Sequence, residues 1–346
     1  MKSIPFFPAR QLWGWLIILL LLAACSSRAP ASPEKTSAAD LGGLPPEAYA
    51  TLNSLEKVDD YPLYVMHFTG AYTGRNSGST VPQGGSFACS LFAGLSEAGD
   101  RIYGRNFDWE FSPALLLFND PPDGYASVSM VDLTFIGIDP DEARTLTDLP
   151  VAERKALLDA PSMPFDGMNE HGLAIGMAAV PDESTRSAEP SKPRIGSIGI
   201  IRQVLDHAKN VDEAIALFEQ YQVDFSGGPP IHYLVADASG KAVLVEFYLG
   251  KMILLPNETP WHLATNHLRC TAEGDGGCPR YRILSERLTA SGGQLDAQGA
   301  MQLLSEVAQS ATQWSVVYNL TRGEVHVAVG TAYENVYPFQ LDLVRP

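Results

Sequence analysis

Basic residues are scarce in this chain of 346 residues. Lysine and arginine together number 24 against 40 aspartate and glutamate residues, which gives a formal net charge of −16 and a pI near 4.8. No run of basic residues interrupts this acidic composition. A nucleic-acid-binding protein needs a positive surface to meet the phosphates, so the composition argues against that class. The negative charge chiefly indicates a soluble surface.

Cysteine is also rare, with four residues in the chain: Cys25, Cys89, Cys270 and Cys278. The spacing of the last two does not match a zinc knuckle, and the neighbouring His262 and His267 complete no recognisable set of metal ligands. We therefore expect neither a metal ion nor another cofactor.

The apolar run at the N-terminus, residues 12–24, is too short to span a membrane comfortably. It follows Lys2 and Arg10 and ends in small residues directly before Cys25. This pattern resembles a bacterial lipoprotein signal, with an ordinary signal peptide or an anchor helix as the alternative. Residues 1–24 are thus predicted to be removed and Cys25 to be lipidated. The mature protein would then be anchored by lipid to a membrane of the bacterial cell envelope, outside the cytoplasm.

Three candidate catalytic residues lie close together in the sequence: Cys89, Arg105 and Asp108. The flanking segments are apolar and β-prone, and turn residues at 97–100 lie between them, which predicts a β-hairpin. A two-residue loop would pair Cys89 with Asp108, whereas a three-residue loop would put Arg105 on the same face as the thiol. Both registers stay open, and either gathers the three groups at one end of the hairpin.

Such a cluster suits nucleophilic attack on a carbonyl group. The attacking species is a thiolate, and a nearby guanidinium lowers the thiol pKa from about 8.5. A base is needed as well. If the chain were cut directly before Cys89, the freed α-amine, with a pKa of about 7.7–8.0, could take the thiol proton near neutral pH. Asp108 could then hydrogen-bond that ammonium group and orient it.

Several short motifs carry a family resemblance between Cys89 and about Phe339. In chain order they are Cys89-Ser90, Gly104-Arg105-Asn106-Phe107-Asp108-Trp109, Met168-Asn169-Glu170-His171-Gly172-Leu173, Thr265-Asn266-His267 and Trp314-Ser315-Val316-Val317-Tyr318. The chain resembles the N-terminal nucleophile (Ntn) hydrolases that act on linear amide C–N bonds. That family includes choloylglycine hydrolase, penicillin V acylase, acid ceramidase, N-acylethanolamine acid amidase and related acyltransferases.

The order of predicted elements indicates an α+β fold. Apolar spacing predicts helices over 47–57, 146–158, 197–207, 211–221, 281–290 and 297–307, with strands and hairpins between them. The resemblance implies the four-layer αββα sandwich of the Ntn hydrolases. It divides the chain into a signal peptide (1–24), a tether with a short helix (25–60), a propeptide strand with a cleavage loop (61–88) and a catalytic domain (89–346).

The cleavage loop is predicted from residues 73–86, which are rich in glycine, serine and asparagine and end close to the Ala88-Cys89 bond. A flexible segment there is what intramolecular cleavage needs, and a plain surface loop is the alternative.

The resemblance implies further site residues. Asn169 would offer its backbone N–H, and Asn266 its side-chain amide, to the oxyanion that forms on attack. Each could instead be an asparagine that caps a turn or loop. The family's second arginine would be Arg280, with Arg282 and Arg269 as close competitors.

Two further expectations concern the pocket and the remaining cysteines. Trp109 is our choice for a substrate contact, although aromatic residues at such positions are more often part of the core. With Cys25 lipidated and Cys89 needed as a free thiol, Cys270 and Cys278 are the natural disulfide pair in an oxidising compartment.

The resemblance thus implies an amidase that cleaves an N-acylated small molecule through a thioester at Cys89. An acyltransferase that passes the acyl group to an amine would use the same acyl-enzyme. From a different class, a non-catalytic envelope lipoprotein could keep the fold to bind acyl chains. Candidate substrates include bile conjugates, penicillins, N-acyl homoserine lactones, fatty-acid amides and ceramide-like lipids.

Overall fold

The computed structural model describes residues 42–72, 88–181, 191–226 and 228–344. Its α-helices are α1 (Pro46–Asn53), α2 (Gly199–His207), α3 (Val211–Gln220), α4 (Pro279–Ser291) and α5 (Ala297–Glu306). The predicted signal peptide, Cys25 and the cleavage loop at 73–86 lie outside the described residues. No described helix combines the length and the apolar character that a membrane span requires.

The β-strands supply most of the regular structure. In chain order they are β1 (Glu56–Asp59), β2 (Leu63–Phe68), β3 (Ala88–Gly94), β4 (Ile102–Asp108), β5 (Ala114–Asn119), β6 (Ser127–Asp132), β7 (Asp166–Asn169), β8 (Leu173–Ala179), β9 (Arg194–Gly196), β10 (Gln222–Asp224), β11 (Ile231–Asp237), β12 (Ala242–Tyr248), β13 (Lys251–Pro256), β14 (Trp261–Ala264), β15 (Thr312–Asn319), β16 (Glu324–Val329) and β17 (Tyr337–Gln340).

Two large sheets form the middle of the fold. One has nine strands in the order β1-β2-β5-β6-β7-β8-β11-β12-β13, and the other has six in the order β14-β3-β4-β15-β16-β17. Strand β3 contacts β8 and β11 across the gap between the sheets. Helices α2 and α3 pack on the nine-stranded sheet, and α4 and α5 on the six-stranded sheet. These layers confirm the predicted α+β fold and its αββα order.

Side-chain alternation along β3 determines where the cysteine points. Cys89 and Leu91 belong to the main core, whereas Phe92 belongs to a second core together with Leu284 and Leu288 of α4. Because successive side chains of a strand point to opposite faces, the thiol faces the gap between the sheets. The alternate residues face the outer helices.

The predicted hairpin is confirmed as β3 and β4. Ala88 lies opposite Asp108, and Cys89 lies opposite Phe107. Directly opposed residues share a face, so Cys89 and Arg105 point to the same side, as in the second of the two predicted arrangements. The connecting loop, residues 95–101, is longer than either predicted loop.

Two of the predicted helices are wrong in part. Residues 146–158 form 3₁₀ turns rather than an α-helix, because Pro150 and Pro161 interrupt the backbone hydrogen bonding of this segment. The helix predicted over 47–57 ends at Asn53, and Glu56–Asp59 pairs with β2 instead. Strands β5 and β7 were not among the predicted elements.

Two strands that precede Cys89 in the chain, β1 and β2, are built into the fold. Strand β2 pairs in parallel with β5 from Leu63 opposite Ala114 to Phe68 opposite Asn119. Beyond it, the Tyr72 hydroxyl donates to Asp206 of α2 at 2.7 Å. The two N-terminal strands therefore complete one edge of the nine-stranded sheet, and the region predicted as a tether already contains β1.

Candidate active site

Cys89 is buried near the start of β3 and lines a narrow cavity of about 10 Å³, room for roughly one water molecule. The other lining residues are Arg105, Phe107, Met177, Ala179, Pro229 and Ile231. The wall thus combines one thiol and one guanidinium with apolar side chains. The Cys89 thiol therefore faces a small and largely apolar space.

Arg105 lies beside the thiol on the inner face of the hairpin. Its Nη2 donates to Cys89 Sγ at 3.7 Å and to the Met177 carbonyl at 3.2 Å. Its Nη1 forms an ion pair with Asp166, and both side chains are fully buried. Asp166 also accepts a hydrogen bond from the Tyr318 hydroxyl at 2.5 Å. Arg105 is therefore fixed in one position, with its charge balanced.

Sequence reasoning missed Asp166. The residue stands in an apolar stretch of the chain, and that setting is the one signal that marks it as a buried, paired carboxylate. Its partner is 61 residues away on the other sheet, so no local motif connects the two.

The thiol is neutral in this uncut chain. Burial raises the pKa of Cys89, and Arg105 opposes that increase without reversing it. The guanidinium therefore acts in the predicted direction, but it does not by itself produce a thiolate. A base close to the thiol is needed to remove the proton.

Arg280 of α4 reaches the outer side of the β3 backbone. Its Nη1 donates to the Cys89 carbonyl and to Ser90 Oγ, the latter at 2.9 Å. Its Nη2 donates to Asn266 Oδ1 at 3.0 Å. The arginine thus joins the nucleophile strand to the loop that carries Asn266.

The two competing arginines lie elsewhere. Arg282 is largely exposed and pairs with Asp275 at 3.7 Å. Arg269 lies over the ring of Tyr281 and donates to the Gly274 carbonyl at 2.5 Å. Of the three candidates, Arg280 is the one that contacts the Cys89 strand.

Asn266 follows β14 and contacts the backbone on both sides of the cavity. Its Oδ1 accepts from the Cys89 N–H at 2.6 Å, and its Nδ2 donates to the Ala179 carbonyl at 2.8 Å. An amide nitrogen carries two hydrogens, and Ala179 uses one of them. The side chain predicted to act at the oxyanion therefore does lie at Cys89.

Asp108 lies opposite Ala88, the residue before the nucleophile. Its Oδ1 accepts from Thr312 Oγ1 at 2.5 Å. Its Oδ2 is buried without a hydrogen-bond partner among the described residues, 4.0 Å from Arg280 Nη1. Burial raises the pKa of Asp108 to about 6. This carboxylate oxygen is an available acceptor for an amine released at Cys89.

Asn169 does not lie at the thiol. Its Nδ2 donates to the carbonyls of Leu205 and Ala208 at the end of α2, at 3.0 and 2.7 Å. It sits at the start of the β7–β8 turn, whereas the cavity is at the far end of β8, about 20 Å away at roughly 3.3 Å per residue. The predicted oxyanion role therefore does not fit Asn169.

The backbone group at the correct end of β8 belongs to Ala179. The N–H of Val180 donates to the Pro230 carbonyl at 2.9 Å, so this N–H group points toward β11. Because pairing alternates along an antiparallel ladder, the Ala179 N–H points to the side where its carbonyl meets Asn266. Sequence reasoning missed it because a backbone donor requires no particular side chain.

Trp109 follows β4 and hydrogen-bonds through its backbone to Ala311 and Gln313. Within the described part of the chain it is not among the residues that line the cavity, where Phe107 and Met177 lie instead. The substrate contact of Trp109 stays a prediction.

Cys270 and Cys278 are free thiols, so the structure does not contain the predicted disulfide. Burial and a hydrogen bond to Glu246 raise the pKa of Cys270 to about 12. Burial would also raise the pKa of Cys278, but hydrogen bonds from His267 and Thr265 lower it to about 6. Each sulfur is thus held by its own hydrogen bonds, which the sequence spacing does not reveal. The described residues contain no group of three or more His, Cys, Asp or Glu side chains that could hold a metal ion.

Comparisons with known proteins find similarity over parts of the chain. Residues 150–314 match the family model described as acyl-coenzyme A:6-aminopenicillanic acid acyl-transferase. An uncharacterized protein, A284L of Paramecium bursaria Chlorella virus 1, is 33% identical over 109 residues, which are 30% of this chain and 39% of that protein. The matched segment therefore spans well under half of this relative.

Solved structures match over a larger part of the chain. A mutant of the conjugated bile acid hydrolase from Clostridium perfringens is similar with a TM-score of 0.55 and 17% identity, over 73% of this chain and 92% of that one. Penicillin V acylase from Agrobacterium tumefaciens gives a TM-score of 0.51 and 16% identity, over 73% and 87%. Together with the αββα layers, these likenesses show that the chain shares the fold of these two hydrolases.

Proposed function

We propose that this protein is an amidase that hydrolyses a linear amide C–N bond in an N-acylated small molecule. The observation that carries the proposal is the set of contacts around Cys89, with Arg105 at its sulfur, Asn266 at its N–H and Asp108 opposite the preceding residue. These groups match the needs of an N-terminal cysteine nucleophile.

The first step is cleavage of the Ala88-Cys89 bond. The thiol adds to the Ala88 carbonyl, the C–N bond breaks, and water hydrolyses the resulting thioester. The products are a carboxylate at Ala88 and a free α-amine at Cys89. The Asn266 oxygen, which accepts from the Cys89 N–H in the uncut chain, and the free oxygen of Asp108 are positioned to hold the new amine.

The second step acts on the substrate. The α-amine takes the thiol proton, and the thiolate adds to the amide carbon. The second hydrogen of Asn266 Nδ2 and the N–H of Ala179 donate to the oxyanion. The C–N bond then breaks as the α-ammonium returns its proton to the leaving amine. Water hydrolyses the acyl thioester and restores the enzyme.

Acyl transfer is the second candidate, and the description of the matched family model favours it. Both reactions share the same acyl-enzyme and differ in whether water or an amine accepts the acyl group. Adding a small amine at millimolar concentration to a turnover assay distinguishes the two. A new N-acyl product in place of free acid indicates a transferase.

The lipid anchor at Cys25 is part of the proposal. It would hold the N-terminal fragment on a membrane of the cell envelope, with the site outside the cytoplasm. Mass analysis of the N-terminal peptide, with and without Cys25→Ala, tests it. An unmodified wild-type peptide contradicts the anchor and leaves the amidase proposal standing.

The amidase proposal is tested by N-terminal sequencing combined with a panel of N-acyl amides. We expect two fragments, the second starting at Cys89, and release of acid and amine from at least one class on the panel. Cys89→Ala should give one uncut, inactive chain. An active preparation that consists only of uncut chain would overturn the mechanism. A correctly cut enzyme that binds acyl amides without turnover would favour the non-catalytic alternative.

A further inference from the structure

A buried ion pair lies behind the loop that carries Asn266, and the proposed mechanism does not use it. His232 of β11 and Glu246 of β12 are both fully buried, and His232 Nδ1 lies 3.0 Å from Glu246 Oε1. The other ring nitrogen, Nε2, lies 2.7 Å from the carbonyl oxygen of Thr265. Thr265 directly precedes Asn266 in the chain.

The hydrogen-bond partners determine the protonation of the ring. An ionised carboxylate and a backbone carbonyl are both acceptors and cannot donate. Both contacts of His232 are hydrogen bonds at the same time only when each ring nitrogen carries a proton, which is the imidazolium form. Among the described residues, Glu246 is the one carboxylate at hydrogen-bond distance from the ring.

Glu246 is suited to remain ionised. Burial alone would raise its pKa, but the hydrogen bond and charge of His232, with the N–H groups of Arg269 and Cys270, lower it to about 2. Those two N–H groups donate to Oε1 and Oε2 at 2.7 and 2.8 Å. The carboxylate thus has a donor for each oxygen.

Three other titratable or charged groups come near the pair. His262 of β14 uses its Nε2 on the Leu255 carbonyl at 2.8 Å, and burial lowers the pKa of its ring. The Arg269 guanidinium is turned toward Gly274. The Cys270 thiol is hydrogen-bonded to Glu246. None of them replaces the two hydrogen bonds made by His232.

Together the pair fastens both ends of residues 265–270, here called the Asn266 turn. His232 holds the carbonyl of Thr265 at the start, and Glu246 holds the N–H groups of Arg269 and Cys270 at the end. Asn266 lies between these attachments and reaches Cys89 and Ala179. A group held at both ends has little freedom to move away from the nucleophile.

We propose that His232 and Glu246 are positioning residues that hold the Asn266 amide in place for the reaction at Cys89. The kinetic part of this inference rests on the proposed amidase function. Burying two charges costs desolvation free energy that pairing often does no more than offset. A requirement for fixed geometry explains the pair better than a contribution to stability, because a misplacement of about 1 Å can cost roughly 100-fold in rate.

The test compares His232→Gln, His232→Ala and Glu246→Gln with a matched control, Tyr233→Phe. Tyr233 is the next residue of β11, is equally buried and donates to the Ser197 carbonyl at 2.7 Å, away from the Asn266 turn. We expect His232→Ala and Glu246→Gln to lower kcat about 10- to 100-fold with KM changed less than about twofold. His232→Gln keeps one side-chain donor and should recover part of the loss. Tyr233→Phe should keep wild-type kcat.

A second measurement does not depend on activity. In the uncut Cys89→Ala chain, ¹⁵N NMR of labelled histidine should show both His232 nitrogens protonated at pH 7, with the signal assigned by its loss in His232→Gln. The Arg269 and Cys270 amides should exchange their hydrogens faster in that variant than in Tyr233→Phe.

A neutral His232 ring at pH 7 overturns the inference whatever the enzyme does, and so does a folded His232→Ala enzyme with wild-type kcat. If the wild type turns over no amide while the NMR and exchange results are as expected, the proposed function fails. The inference that His232 and Glu246 hold the Asn266 turn in place is then retained.

Discussion

The two faces of strand β3 at Cys89 carry the same kinds of charge in different settings. On the inner face, Arg105 and Asp166 form a tight ion pair with neither side chain exposed. On the outer face, Arg280 lies 4.0 Å from Asp108, and the arginine side chain is 14% exposed. The inner pair is complete in the uncut chain. In the outer pair, Oδ2 of Asp108 accepts no hydrogen bond from any described residue.

This difference suggests a division of tasks. The inner pair fixes a cation beside the sulfur and has no remaining acceptor to offer. The outer pair retains an acceptor opposite Ala88, where cleavage would create a new amine. If the chain is cut before Cys89 as proposed, the surroundings of the sulfur could stay constant while the contacts on the outer face change.

The largest expected effect comes from breaking the inner pair. Arg105→Ala leaves Asp166 buried without its cation, so we expect the free energy of unfolding to fall by about 3–5 kcal/mol. Chemical denaturation of the uncut Cys89→Ala parent, with and without Arg105→Ala, measures the loss. Adding Asp166→Asn should restore part of it. If Arg105→Ala is as stable as its parent, the inner pair does not differ from the outer one.

The next effect concerns the side-chain amide of Asn266, which contacts both Cys89 and Ala179. Asn266→Ala should lower kcat by about 10²–10³-fold with little change in KM, because an oxyanion contact strengthens in the transition state. Steady-state kinetics on mature enzyme checks this. Asn266→Asp should be at least as damaging, since a carboxylate opposes the developing charge. Raised KM with unchanged kcat would instead make Asn266 a substrate-binding residue.

Breaking the outer pair should cost less stability. Arg280→Ala removes hydrogen bonds from a charged group, each worth about 1.5–3 kcal/mol, but water can reach part of the site. We expect a loss of unfolding free energy of about 1–2 kcal/mol, with slower appearance of the fragment that starts at Cys89. Arg282→Ala, an exposed neighbour on the same helix, is the control and should change neither. A loss as large as that of Arg105→Ala would contradict the comparison.

The smallest effect is a pH dependence from Asp108. The folded protein holds this proton up to about pH 6, whereas an unfolded aspartate releases it near pH 4. Its contribution to unfolding free energy is therefore full below about pH 4 and falls as pH rises to about 6. In the uncut Cys89→Ala chain, Asp108→Asn should flatten stability over that range. An unchanged slope would mean that Asp108 titrates normally.

Much of the site was predictable because local spacing determines it. The hairpin brings Cys89 and Arg105 to one face by strand alternation, and the Thr265-Asn266-His267 motif pointed to Asn266. Arg280 was one of three candidates for the family's second arginine, and only its contacts distinguish it from Arg282 and Arg269. Asp166, His232 and Glu246 were not predictable, because their partners lie on other strands or loops far away in sequence. Asn169 fitted a motif, but the length of β8 places it at the wrong end of the strand.

The secondary structure was also predictable where local spacing determines it and not elsewhere. Elements with clear apolar periodicity, such as α2 and α3, were predicted nearly to the residue. The segment at 146–158 had helical spacing, yet its proline residues favoured 3₁₀ turns. Strand β5 was missed because it is apolar throughout, and a run without alternation does not identify a strand that is buried on both faces.

The parallel pairing of β2 with β5 has a consequence for the cut protein. If the chain is cut as proposed, the N-terminal piece would supply the strand that covers the β5 edge and would remain as a subunit. Removing it would expose a row of unpaired N–H and carbonyl groups on an apolar strand, which invites association with other chains. Enzyme stripped of that piece by denaturant should aggregate on refolding, and adding the piece back should keep it in solution.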